Sequence, residues 1–327
     1  MIKSRAIFLE KRKKVIQNFF ICLEAVLPLF ILILIGIGVR AAGLLNGEEV
    51  RRVNKFVFVV FFPCMMFKSI CQSDISHSLE PGYVAFGLIT VLATCLISVP
   101  ITLKIEKDRG QQGVMIQDSF RSNFVIMGIP VIANIFGADC LGVPTMMMAI
   151  IVPFFNILAV IIFETFRGGK ISLGSILKGI CKNPIILGTI AGLLFNGLHI
   201  PLLPTVKNVV FGMGDACSIL ALIILGASFH LEGVKKKARN LIIIIISRLI
   251  IVPGILLALA AILGYRNVEF VTLIIMFAAP PSVSSYTMAE AMDSDGELAG
   301  NAVIFGSALS CLTLFLWLFL FKSLGVF

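Results

Sequence analysis

Ten apolar stretches joined by short connections leave this chain little choice of fold. They run roughly 24–40, 54–71, 83–103, 113–136, 141–164, 185–203, 207–229, 240–264, 268–291 and 299–321. A helix needs about 20 apolar residues to cross about 30 Å of hydrocarbon, and backbone in lipid must bond its own N–H and C=O groups. The expected fold is an all-α polytopic membrane protein with ten transmembrane helices, multi-pass in the cell membrane and solvated by the lipid bilayer. With 58% hydrophobic and 14% charged residues, nothing is left over for a soluble domain.

The net charge of +9 comes from short basic clusters between the apolar runs, so nucleic acid is not an expected partner. The connections after stretches one, three, five and seven hold fifteen Lys and Arg, from Arg40 to Arg239, against four on the other side. Loop charge of this kind faces the cytoplasm, which predicts extracellular N- and C-termini. The basic tail MIKSRAIFLEKRKK pulls the other way, and the four loops outweigh it. Eight scattered cysteines without a CxxC, and three histidines without an HExxH, predict neither a disulfide frame nor a metal site, and no cofactor is expected.

Residues 24–164 and 185–327 each hold five stretches, flanked by a tail (1–23) and a cytoplasmic linker (165–184). An odd number turns the second half upside down, so the halves read as two inverted five-helix repeats, a common transporter plan. The fourth stretch of each half is interrupted. One carries Asn123, Gly128 and Pro130; the other carries Pro280 and Pro281, followed by Ser282 and Ser284. Proline lacks an N–H and clashes with the preceding turn, and a broken helix survives in a membrane only against protein or a water-filled cavity. Broken helices 4 and 9 are therefore expected to cross, their half-helix N-termini aimed at one spot that suits an anion. Asn123, Gly128, Pro130, Pro280, Pro281, Ser282 and Ser284 are the candidate substrate-binding residues.

Arg248 joins them. It lies nine residues beyond Arg239, about 13 Å into the membrane at 1.5 Å per residue. A cation at that depth has three readings: a direct partner of a substrate carboxylate, a fixed charge beside the crossing helices, or half of an ion pair with Asp118, Glu164 or Asp215. The fixed charge is favoured, a role that Lys could fill.

Six segments resemble the auxin efflux carrier family, which includes plant auxin exporters and bacterial permeases for small organic acids. EAVLPLFILILIGIGVRAAGLLNGEEVRRVNKFVFVVFFPCMMF is similar to its first two spans. SNFVIMGIPVIANIFG resembles its fourth, with Asn123 on the family's Asn. NPIILGTIAGLL, GDACSILALIILGASF, SRLIIVPGIL and AAPPSVSSYTMAEAMDSDGELAGNAVIFGSALS resemble its later spans in order. The resemblance implies a scaffold of spans one, two, six and seven, a moving domain of the others, and a homodimer. Plant members have Pro where this chain has Ser122, and Gln where it has Ser282.

The expected function is secondary transport of a small organic anion, a carboxylate such as malate or an auxin-like acid, by alternating access of the elevator type. A coupling proton or sodium ion would be a further partner. The alternative is a cation/proton antiporter or sodium-coupled symporter on the same plan. An antiporter calls for paired carboxylates near the crossover, which the sequence does not suggest. An enzyme would need a nucleophile with its base, and His77, His199 and His230 all lie at span ends. No GxxxxGK[ST] is present for ATP.

Overall fold

The structure, a computed structural model, describes residues 27–72, 80–167, 173–198 and 200–327. The N-terminal tail, part of the linker, His77 and His199 lie outside the described residues. Among the described residues six helices are long and apolar enough to cross a membrane: α2 (Gly47–Cys71), α3 (Pro81–Ile105), α6 (Gly142–Phe166), α9 (Pro204–Ser228), α11 (Ala238–Ile262) and α14 (Gly296–Ser323). Four shorter apolar helices are α1 (Leu27–Ala41), α5 (Phe124–Phe136), α8 (Pro184–Gly197) and α12 (Asn267–Ala278). Between these lie α4 (Arg109–Phe120), the linker helix α7 (Leu173–Lys182), α10 (Leu231–Lys236) and α13 (Ser284–Ala291). The chain is a polytopic helical membrane protein.

Local chemistry sets the helix boundaries. Asn46 caps α2 by accepting from the Glu48 and Glu49 N–H groups, while Glu49 reaches back to the Asn46 N–H. Asn183 caps α8, whose first residue is Pro184, where a missing N–H loses nothing. Inside α2 and α11 the helix widens into π-helical turns, Val57–Phe61 and Ser247–Ile251. Each is followed by proline, Pro63 and Pro253, which cannot donate to the turn behind it.

Helices α1, α2, α8 and α9 are locked together by glycine contacts. A Cβ placed on Gly36 of α1 would stand 2.0 Å from the Ile223 carbonyl oxygen of α9, and one on Gly226 of α9 would stand 2.0 Å from the Ile33 carbonyl oxygen of α1. Helices in lipid have no hydrophobic drive to associate, so backbone approach through small residues supplies the attraction. Gly36→Ala or Gly226→Ala is therefore expected to push the helices apart and destabilise by about 1–3 kcal/mol or more. Gly38, on the same helix, meets nothing within 4 Å. Thermal melting in detergent should drop for Gly36→Ala and not for Gly38→Ala; equal melting of the two would remove the close contact as a source of stability.

The basic connections gather at one end. Arg51 on α2 pairs with Glu290 on α13 at 2.7 Å, Arg167 with Asp293 at 2.6 Å, and Lys237 with Asp295 and Glu297, each at 2.7 Å. Ser294 bonds the Gly110 carbonyl. The Asp108 N–H, and after it the Asn240 amide, hold the Glu106 carboxyl there below the ordinary carboxylate range. The opposite end is closed by Tyr83 to the Glu269 carbonyl, Tyr265 to the Gly82 carbonyl, and the Asn267 N–H to the Val326 carbonyl.

Candidate functional site

Two helices stop and restart against each other. The chain leaves α4 at Phe120 and re-enters helix at Phe124; it leaves α12 at Ala278 and re-enters at Ser284. Pro280 and Pro281 explain the second gap, since neither can donate and the residue before a proline is pushed out of helical geometry. Ala279 is indeed extended. The first gap has no proline. It is Arg121-Ser122-Asn123, three polar residues whose side chains compete with the helix. Ser122 pairs with Pro281 in a single antiparallel bridge, and the Asn123 N–H donates to the Pro280 carbonyl at 2.8 Å.

The four helix ends at this crossing sort by charge. The carbonyl ends of α4 and α12 converge on Arg248, which is 1% exposed and projects from the π-helical turn of α11. Its Nε donates to the Ala279 carbonyl (3.0 Å), Nη2 to Met276 (2.8 Å), and Nη1 to Ser119 and Phe120 (3.2 and 3.3 Å). The amide ends of α5 and α13 instead line a cavity of about 290 Å³. Unpaired N–H groups at such ends carry partial positive charge.

Arg121 also lines this cavity. Its Nη2 donates to Asn156 Oδ1 (2.5 Å) and Ser284 Oγ (2.6 Å), and Nη1 meets the Met288 sulfur. Ser284 is bonded in turn to Ser282 at 2.8 Å. Asn123 Nδ2 and Ser122 Oγ are buried and have no partner among the described residues, although both residues line the cavity. Phe62, Met65 and Met66 of α2 and Phe155 of α6 form apolar walls. At the rim Lys68 of α2 pairs with Asp215 of α9, whose carboxylate is largely exposed. The arrangement can hold a small molecule with one negative end among donors and an apolar remainder.

The description "membrane transport protein" belongs to the family that matches residues 21–318. This chain is a member of that family, the auxin efflux carrier family. An uncharacterized transporter of Methanothermobacter thermautotrophicus is 23% identical over 303 residues, covering 90% of this chain and 96% of the relative.

Within this transporter, Asn123, Ser282 and Ser284 meet at the cavity. Pro280 and Pro281 lie behind it and shape the break; Gly306 of α14 leaves room for them, since a Cβ there would stand 2.8 Å from Pro281 Cδ. Gly128 and Pro130 are not part of the interruption, contrary to the sequence expectation. Helix α5 runs through both. Gly128 packs against the end of Met148, and Pro130 faces outward. A membrane helix tolerates an interior proline because neighbours and small adjustments re-satisfy the freed carbonyl. Arg248 stands apart from the cavity lining and has none of its three anticipated carboxylate partners. Asp215 pairs with Lys68, Glu164 with Arg167 at 3.6 Å, and Asp118 takes a bond from Ser285.

Arg121 is the cavity residue that the sequence reading missed. The signal was present: an ionisable side chain inside an apolar stretch, the reasoning that selected Arg248, applies equally to SFRSNF. The Lys68–Asp215 pair carried no sequence signal, because nothing in either helix says that the two face each other.

Proposed function

We propose that this membrane transport protein carries a small organic anion, a carboxylate of the malate or auxin-like kind, by alternating access. The observation that carries the reading is Arg121, a guanidinium at a cavity between two half-helix N-termini. Charge-assisted bonds from Arg are about twice as strong as neutral ones, and its fork carries more N–H donors than its contacts use. The unpartnered Asn123 amide adds a donor. Apolar walls of Phe and Met suit the carbon skeleton, and the modest cavity volume suits a small acid. A sodium-coupled or cation-exchanging reading fits less well, because the carbonyls that could gather a cation at the crossing are taken by Arg248.

The architecture we infer has ten spans in two inverted five-helix repeats, 24–164 and 185–327. In it, α4 with α5 and α12 with α13 are the crossed fourth and ninth spans. The glycine-locked helices α1, α2, α8 and α9 are the static scaffold, and the remainder is the elevator that carries the site. The Arg51–Glu290 pair joins scaffold to elevator at the basic end, opposite the Lys68–Asp215 rim, which supports a cavity open to the extracellular side. A homodimer through the scaffold completes the proposal.

Purified protein in proteoliposomes tests the reading with radiolabelled malate and indole-3-acetate, each beside its neutral amide. The acids should be taken up and the amides should not. Equal uptake of acid and amide would overturn an anion site. Labelling of Ser294→Cys by an impermeant thiol reagent from the extracellular side would overturn the orientation.

A further inference from the structure

The crossover holds a buried carboxyl side chain that the anion site does not use. Asp118 of α4 sits three residues before Arg121 and is 0% exposed. Its Oδ1 lies 2.6 Å from Ser285 Oγ, and its Oδ2 is buried with no partner among the described residues. The same Ser285 Oγ lies 2.8 Å from Gln117 Oε1. One hydroxyl has one hydrogen, and two acceptors claim it.

An ionised Asp118 would have a single shared hydroxyl hydrogen to stabilise two oxygens. Buried carboxylates are kept charged by several donors or by a close cation. The charged groups that face Asp118 are Arg121 along the same stretch and Arg248 from α11. Among the described residues neither forms an ion pair with it: Arg121 is turned to Asn156, Ser284 and Met288, and Arg248 to four carbonyls. From α13 it meets the Ser285 hydroxyl, and α3, α6 and α14, which also pack on α4, bring no charged group to it among the described residues. A protonated Asp118 resolves the geometry. Its O–H donates to Ser285 Oγ, and Ser285 O–H donates to Gln117 Oε1, so both short contacts become hydrogen bonds. Rotating the Gln117 amide by half a turn would also satisfy Ser285, but it leaves an ionised Asp118 with one donor; in either orientation one end of that amide is buried without a partner among the described residues.

We propose that Asp118 is the coupling-proton site of this transporter, a proposal that rests on reading the adjacent cavity as an organic-anion site. An ionised Asp118 opposes an anion arriving at Arg121. A proton taken up on Asp118 from the water that the cavity faces removes that opposition, so proton and carboxylate bind more tightly together than apart. Coupling is reciprocal by linkage: the bound anion holds the proton as firmly as the proton holds the anion. A monocarboxylate crosses with the proton as a neutral sum and malate as a single net negative charge; once the anion has left, Asp118 gives up its proton to a compartment alkaline enough to take it.

Infrared spectroscopy of the purified protein at neutral pH tests the proton without any substrate. The expected wild-type spectrum contains the C=O stretch of a protonated carboxylic acid that Asp118→Asn deletes. Ser285→Ala, which removes the bonding partner, should shift this band and not delete it, and so assigns it even if Asp118→Asn folds poorly. Loss of carboxylate bands alone in Asp118→Asn would overturn the proposal. In proteoliposomes with radiolabelled malate, the wild type should accumulate label under an inward acid gradient and exchange faster at low pH. Asp118→Asn should lose the accumulation and show a flat pH profile. Accumulation by Asp118→Asn equal to wild type would also overturn the proposal. Wild-type protein that carries neither malate nor indole-3-acetate would count against the anion reading, while the infrared band still decides where the proton sits.

Discussion

Arg121→Ala lowers carboxylate uptake by about 30-fold to several thousand-fold while the protein stays folded. Truncating one side of a buried, hydrogen-bonded charge pair costs about 2–5 kcal/mol, and every 1.4 kcal/mol is a factor of ten. Folding survives because the Arg121 side chain lines a cavity, so water can enter and bond the Asn156 and Ser284 oxygens that it leaves. Arg121→Lys keeps the charge but not the planar fork, and an intermediate loss is expected. The measurement is uptake in proteoliposomes beside thermal melting in detergent. Wild-type uptake by Arg121→Ala would remove this residue from the transport path and take the anion reading with it.

Arg248→Ala has the opposite signature: stability falls first. Four carbonyls at two helix ends lose their donor at once, around a side chain that does not line the anion cavity. A buried group left unsatisfied costs about 1–3 kcal/mol, so the sum is a large fraction of the stability of a folded domain, about 5–15 kcal/mol. The sequence reading favoured a fixed charge that Lys could replace. The bonds argue otherwise. The guanidinium spans Ser119 and Phe120 on one helix and Met276 and Ala279 on the other, whereas an ammonium is a compact point charge. Melting in detergent should fall strongly for Arg248→Ala and substantially for Arg248→Lys. A Lys variant that melts with the wild type would show that charge alone is needed.

Much of the architecture was legible because lipid simplifies the rules. Apolar length gave the helices, and Pro280–Pro281 gave one break outright, since missing N–H groups act the same in any context. The two interrupted stretches were expected to cross, and the Ser122–Pro281 bridge joins them at their breaks. The first break was placed too far along, because the GIP motif contains the residue that usually ends a helix. Here the neighbours of α5 absorb Pro130, and the interruption falls on Arg-Ser-Asn. Long-range contacts stayed hidden. The walls that α2 and α9 supply are apolar faces like any other, and Arg121 becomes a site residue only once Ser284 and Asn156 are brought to it.

The guanidinium of Arg248 and the short Ser122–Pro281 bridge fasten the two broken helices to each other. In the proposed carrier, the donors contributed by both helices then travel as one rigid cassette. Nothing in the cassette has to be rebuilt when it changes sides, so the same donors greet the cargo on either face of the membrane. Such a device is reversible. It has no preferred direction of its own and runs as importer or exporter according to which compartment holds more acid and more protons. A cell that makes this protein sets the flow by what it accumulates, and a reversal of the gradients would reverse the flux.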